Sequence, residues 1–342
     1  MCPRVSSPTL CLSRCETFAA LAGEWPALLE KFPGNTIFLT WEWQQLWWKL
    51  CGEGELHLLA IRADDELVGI APLIQQNGQW GFAGGAEVAD YLDLIAAPEN
   101  AATVATAVLD YLQSRGGPAD FRNLRPDSVG ATSLRDEARR RGLAFTFEPE
   151  DISPRLELPT DWETYLQSLS KKDRHELRRK LRRLLEAGHV LYGWVTDPTA
   201  RDVDDFLRLH RESAEAKSAF MTPTMERFFR ALVHELTPRG WLRLYFLTID
   251  NVRVASAILF DYRDEFLLYN SGYDPAFGHQ AVGLLLKAFT IQEAIAEGRA
   301  VFDFLQGDEP YKYDLGGHDV PIFQLRLGFA FANGAVRHES NV

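Results

Sequence analysis

The sequence predicts a mixed α/β chain in which one folding unit is used twice. Two hairpin-like segments superpose without a gap: residues 56–76, LHLLAIRADDELVGIAPLIQQ, and residues 242–262, LRLYFLTIDNVRVASAILFDY. At a constant offset of 186, Leu56/Leu242, Leu58/Leu244, Asp64/Asp250, Val68/Val254, Ala71/Ala257 and Leu73/Leu259 are identical. The same order of helices and strands surrounds both hairpins, which is duplication at the level of fold. Length agrees, since 342 residues is about twice a common domain length. A composition of 46% hydrophobic and 12% aromatic residues supplies two cores and excludes disorder for the bulk of the chain.

In chain order, helical patterns at 16–32 and 41–51 lead into the first hairpin, whose apolar runs flank Asp64-Asp65. A strand at 79–83, the polar loop Asp90-Tyr91-Leu92-Asp93, a helix over 98–114 and a strand at 120–121 follow. In the second half, helices over 203–216 and 224–236 precede a hairpin turning at Asp250-Asn251, where short Asx side chains tolerate tight-turn backbone. A strand at 265–270, Ser271-Gly272-Tyr273, a helix over 280–297 and a strand at 303–304 complete the repeat. The proline-bearing stretch 148–155 is the expected linker, dividing the chain into domains 1–150 and 151–342 with a cleft between them. Trp41, Trp43, Trp47 and Trp48 are expected in the core, with Phe38, Trp41 and Trp48 on the buried face.

The charge is uneven. The formal total is -12, yet residues 168–188 hold eight Lys/Arg (Lys171, Lys172, Arg174, Arg178, Arg179, Lys180, Arg182, Arg183) against Asp173, Glu176 and Glu186. Ser170-Lys-Lys-Asp173 reads as a capping box, and Leu177, Leu181, Leu184 and Leu185 form an apolar stripe at helical spacing. Lys171 and Lys172 then face the positive end of the helix dipole, a placement that a bound anion relieves. A solvated surface face is the competing reading of this helix.

Three stretches resemble a known family: LSKKDRHELRRKLRRLLEAG (169–188), FLLYNSGYDPAFGHQAVGLLLKAFTIQEAIAEG (266–298) and FDFLQGDEPYKYDLG (302–316). With the element order, they resemble the GNAT acyltransferases, in particular the CelD-like acetyltransferase branch of cellulose and exopolysaccharide biosynthesis. That branch is related to the Fem peptidyltransferases, which carry tandem GNAT-like domains. The resemblance implies a mixed α+β sheet in each of two tandem GNAT-like (acyl-CoA N-acyltransferase) domains. It implies acetyl-CoA or another acyl-CoA as co-substrate, with no metal. The strand residues Tyr269, Asn270 and Ser271 would then meet the pantetheine arm. His279, Gln280 and Gly283 would form the pyrophosphate turn, and Lys171, Lys172 and Arg178 would hold a phosphate. Leu285 stands where the superfamily pattern Q/R-x-x-G-x-G/A has a small residue.

Acyl transfer to an amine needs a base, oxyanion donors and a proton donor for the leaving group. The catalytic candidates are Asp303, Asp308, Glu309, Tyr311, Lys312 and Tyr273. Any of the carboxylates is a candidate base, and either tyrosine a candidate acid. The resemblance to Fem enzymes implies that Lys312 acts near the donor. It also implies that Asp90, Tyr91 and Asp93 of the first half hold the acceptor.

Other chemistries lack their residues. His175-Glu176 and His234-Glu235 have no second histidine one turn on, and no G-x-S-x-G, Walker A or dinucleotide fingerprint occurs. The four cysteines, Cys2, Cys11, Cys15 and Cys51, lie far in sequence from the candidate site and favour neither a zinc site nor stapling disulfides. No membrane-spanning run and no secretory leader are expected, so a cytoplasmic setting is. The expected partners are a small-molecule or glycan-precursor acceptor and no DNA. Transfer from aminoacyl-tRNA, or a non-catalytic role in exopolysaccharide assembly, is the alternative.

Overall fold

The computed structural model describes residues 9–328. They form two compact units, residues 9–151 with 321–328, and residues 152–320. The expected division differs in one respect: from Pro321 the chain belongs with the first unit, because Phe323 and Leu325 pair with Leu124 and Phe121. The expected linker at 148–155 lies within a strand, Ala144–Glu157. The residue before proline prefers extended backbone, and a strand satisfies that preference as well as a linker does.

The first unit contains β1 (Leu10–Cys15), α1 (Trp25–Lys31), α2 (Trp41–Cys51), β2 (Glu55–Ala63), β3 (Glu66–Gln76), β4 (Gln79–Phe82), β5 (Ile95–Ala96), α3 (Ala101–Arg115), β6 (Ala119–Leu124) and α4 (Arg135–Arg140). The strand β7 (Ala144–Glu157) leaves it. The second unit adds α5 (Trp162–Ser168), α6 (Lys171–Leu185), β8 (Val190–Val195), α7 (Ala200–Ser213), α8 (Glu215–Phe220), α9 (Pro223–Leu236), β9 (Leu242–Ile249), β10 (Val252–Tyr262) and β11 (Glu265–Tyr273). Then come α10 (Val282–Ala296), β12 (Val301–Asp303), α11 (Pro310–Asp314) and β13 (His318–Gly328), whose end returns to the first unit. Strands run side by side as β1-β2-β3-β4-β6-β13 in one unit and β7-β12-β11-β10-β9-β8 in the other. Each set is antiparallel except for one parallel pair, β4/β6 and β11/β12, so the fold is mixed α/β in both.

Local sequence explains the helix starts. Thr40, Asp161, Ser170, Thr199 and Thr222 each accept a hydrogen bond from a first-turn amide, and Thr199 with Asp202 completes a capping box. In α2 the buried face is Trp43, Gln44 and Trp47 rather than the expected Trp41 and Trp48. The Trp43 indole donates to Gly84 O at 3.0 Å, and that bond requires the ring to point inward.

The second core gathers Leu177 and Leu184 of α6 with Leu285, Leu286 and Ile291 of α10 and the inner face of β9–β11. Leu185, expected in the α6 stripe, is exposed. Gly272 lets α7 lie directly on β11, since a Cβ there would fall 2.4 Å from the backbone of His210.

Candidate active site in the second unit

The pairing of β11 with β12 covers only Glu265↔Val301, Phe266↔Phe302 and Leu267↔Asp303. β12 ends at Asp303 with all three of its residues paired, while β11 continues to Tyr273, which leaves an opening along the β12 side of β11 with no strand partner among the described residues. Two non-glycine residues beside this opening adopt left-handed backbone, Ala281 (φ 57°) before α10 and Leu305 (φ 58°) after β12. Such conformations cost about 1–3 kcal/mol each and persist where the surroundings hold them.

The expected residues of β11 and the turn after it are ordered here. Tyr269 stacks on Phe229, and Asn270 Oδ1 lies 3.0 Å from His210 Nε2. Burial, reinforced by Lys217, pushes the His210 imidazole down to about 4, so it is neutral. Ser271 O accepts from Lys217 Nζ at 2.5 Å. His279 and Gln280 end the short helical turn Pro275–Gln280, and Gln280 Oε1 is buried with no partner among the described residues. Ala281 caps α10 without a side-chain hydrogen bond. Gly283 sits in the first turn, where a Cβ would lie 3.0 Å from the Tyr273 ring. Leu285 points into the core, so its bulk does not narrow that turn.

After β12 the candidates separate. Asp303 is fully buried; its carboxylate accepts from Leu305 N (2.8 Å) and Ser153 Oγ (3.2 Å), with Arg155 Nη1 at 3.5 Å. It braces the strand end. Lys312 is buried too, and its ammonium donates to Leu305 O, Gln306 O and Gly307 O at 2.9, 2.6 and 3.1 Å. Glu309 Oε2 lies 2.9 Å from the same nitrogen. Gly307, at φ 109°, is required because a Cβ would fall 2.7 Å from Glu309 Oε2. Asp308 and Glu309 are exposed, and Tyr311 is largely covered. Burial opposes ionisation of Glu309, but Lys312 holds its carboxyl below the usual value. Burial, then the Glu309 carboxylate, keeps the Tyr311 phenol protonated.

Sequence reasoning missed two members of this group. Lys287 is buried within α10, donates to Gly283 O at 3.1 Å and lies 4.5 Å from the Tyr311 ring centroid. Burial, and then Lys217, push its amine down to about 7. Lys217 itself is lowered by burial, with Glu309 opposing. A lysine inside the apolar run GLLLKAF was the available signal, because an unpaired charge is rarely buried there without a purpose.

The basic helix forms as expected, with Ser170 Oγ accepting from Asp173 N at 3.1 Å. Lys171, Lys172, Arg174, His175 and Arg178 border an open concavity. Arg178 pairs with Glu163 at 2.6 Å, and Arg179 and Lys180 pair with Glu176. Lys171, Lys172, Arg182 and Arg183 have no ion pair among the described residues.

The first-unit loop is used internally. Tyr91 and Asp93 are each 3% exposed. Asp93 accepts from Val129 N (2.6 Å) and Gly130 N (2.8 Å), and burial raises its carboxyl to about 7 against those bonds. Asp90 is half-buried nearby. No group of metal-ligating side chains occurs among the described residues, and no described helix is long and apolar enough to cross a membrane.

Residues 171–313, which contain every element of this opening except β7 and α5, match the acetyltransferase (GNAT) domain family. That match lies within the second unit and covers less than half of the chain. No curated protein matches the chain in sequence. Among solved structures, FemX is similar with TM-score 0.61 at 12% identity, over 89% of this chain and 95% of its own. The C-terminal domain of a putative lysylphosphatidylglycerol synthetase from Agrobacterium fabrum gives 0.59 at 12%, over 91% and 92%. L-PGS from Bacillus licheniformis gives 0.58 at 11%, over 91% and 93%. At such identities the likeness is one of fold, and it extends over both units of the GNAT-like chain.

Proposed function

We propose that this protein is an acyltransferase that moves an acyl group from acyl-CoA to an amine, with acetyl-CoA the simplest donor and an amino sugar or other glycan precursor the acceptor class. The observation that carries the reading is the stretch of β11 beyond Leu267 that has no partner on the β12 side, inside the residues that match the GNAT family. Strand backbone beyond Leu267 suits a pantetheine arm. The first turn of α10, whose N-cap Ala281 makes no side-chain hydrogen bond, suits a pyrophosphate. Lys171 and Lys172, with Arg178, suit the remaining phosphate.

When bound, the donor supplies an acyl group activated as a thioester. Glu309, held ionised and exposed, attracts the protonated amine and passes its proton to water. Tyr273 and Tyr311 are the phenol proton donors at the opening, and Asp308 adds negative charge on the acceptor side. Lys312 and Asp303 act by positioning, one holding the 305–309 loop and the other the end of β12. In the first unit, Tyr91 and Asp93 shape the loop that presents Asp90.

Thermal unfolding with free CoA and acetyl-CoA tests the reading. Stabilisation of about 2.7 kcal/mol is expected at a hundredfold excess over Kd. The substitution Lys171→Glu with Lys172→Glu should weaken both ligands at least tenfold. A second reading, aminoacyl transfer from tRNA, is favoured by Arg182 and Arg183, unpaired cations beyond what one phosphate needs. Salt-sensitive tRNA binding without any CoA response would establish that reading in place of the first. Silence with both ligands would leave an accessory role in polysaccharide assembly.

A further inference from the structure

Three lysines reach β11, the first turn of α10 and the segment after β12. Lys217 holds the carbonyl of Ser271 on one arm, and Lys312 holds the carbonyls of residues 305–307 on the other. Lys287 lies within electrostatic range of both. Glu309 is a carboxylate that acts on all three lysines, and its short contact is with Lys312. The Lys312 ammonium has three N–H groups and three carbonyl acceptors besides Glu309, so it is saturated. Lys217 and Lys287 each make one hydrogen bond among the described residues, which leaves two donor positions on each when protonated. Lys287 is 7% exposed and has no ion-pair partner among the described residues, its ammonium being met only by Gly283 O and the Tyr311 ring.

We infer that Lys217 and Lys287 receive a carboxylate carried by the acyl group that this protein transfers. The inference rests on the acyl-CoA reading. It places the carboxylate on the donor because Lys217 grips β11, the strand suited to the pantetheine arm, and Lys287 stands one turn from Gly283. An acetyl group has no charge to offer these lysines; a dicarboxylic acyl group has one. Tyr311, whose ring faces Lys287, bounds the site, and Glu309 remains with Lys312 on the acceptor side.

The test compares two hydrolysis-resistant thioethers of similar size, S-propyl-CoA and S-(2-carboxyethyl)-CoA, by calorimetric titration of the full chain. The carboxylate ligand should bind at least tenfold more tightly. Lys217→Met with Lys287→Met should bring the ratio of the two affinities close to one. Lys171→Glu should weaken both ligands and leave the ratio intact. Should the double variant not fold, the wild-type ratio still decides. Equal affinity of the two thioethers overturns the inference and leaves the acyl-CoA reading standing. Binding of neither overturns both.

Discussion

In both units the hairpin bulges at the same valine and is tied down by the same aspartate. Val68 is passed over between Gly69↔Ile61 and Leu67↔Arg62, and Val254 between Ala255↔Leu247 and Arg253↔Thr248. Asp64 exchanges N–H and carboxylate bonds with Thr9 just before β1, and Asp250 does so with His189 just before β8. Beside these matching hairpins the units diverge. In the first, the chain leaving β4 turns back toward β6: Leu92 N donates to Asn123 O at 3.0 Å, and the Asn123 amide donates to Ala86 O and Ala89 O. In the second, the carbonyls after β12 are met by the ammonium of Lys312. One frame thus supports a strand edge covered by its own backbone and a strand edge lined by ionisable side chains. The ionisable edge is where chemistry has groups to use.

The largest expected effect comes from removing what lets the second unit assemble. Gly272→Ala sets a Cβ against the His210 backbone, which cannot move as a side-chain tip would, and should cost on the order of 3 kcal/mol. Urea denaturation with limited proteolysis should show the second unit opening first. Equal loss in both units would break the comparison. Next is Asp93→Ala, which strands the buried amides of Val129 and Gly130 and should cost about 2–4 kcal/mol. Asp93→Asn, which keeps one acceptor, should cost less. An alanine variant as stable as the parent would remove the argument that this loop serves the fold. Smaller still, Asp64→Ala and Asp250→Ala should each cost about 1 kcal/mol, because each loses one side-chain bond at an equivalent turn. Unequal costs would mean that the hairpins only look alike.

The frame was legible in the sequence because alternation and turn chemistry are local. The α2 boundaries at Trp41 and Cys51, the Asp64 and Asp250 turns and the capping of α6 by Ser170 all follow from neighbours within a few residues. Residues decided by distant partners were not legible. Asp93 and Asp303 are ordinary loop and strand-end aspartates in sequence, and only the folded chain brings Val129, Gly130 and Ser153 to them. Lys217 lies on a six-residue helix with no periodic signal, yet it reaches Ser271. Leu185 fits the apolar stripe by spacing but is the last residue of α6, beyond the core.

Acid should separate the units by sign. Asp93 has a folded pKa of about 7, above its ordinary 3.8, so its contribution is full below about pH 4 and is lost as pH rises through 7. His210 has a folded pKa of about 4, below its ordinary 6.5, so its contribution is full above pH 6.5 and is lost as pH falls through 4. Lowering pH from 7 to 6 therefore stabilises the first unit through Asp93 and destabilises the second through His210, each by under about 1 kcal/mol. Amide exchange at the two pH values, compared between β3 and β10, reads the two changes separately. Asp93→Asn should abolish the rise in the first unit and leave the fall in the second, while His210→Gln should leave the rise and reduce the fall, the remainder coming from Lys287, whose amine at about 7 also lies below its ordinary 10.5. Changes of the same sign in both strands would show that other groups dominate and that the buried aspartate and histidine do not set the acid response of their units.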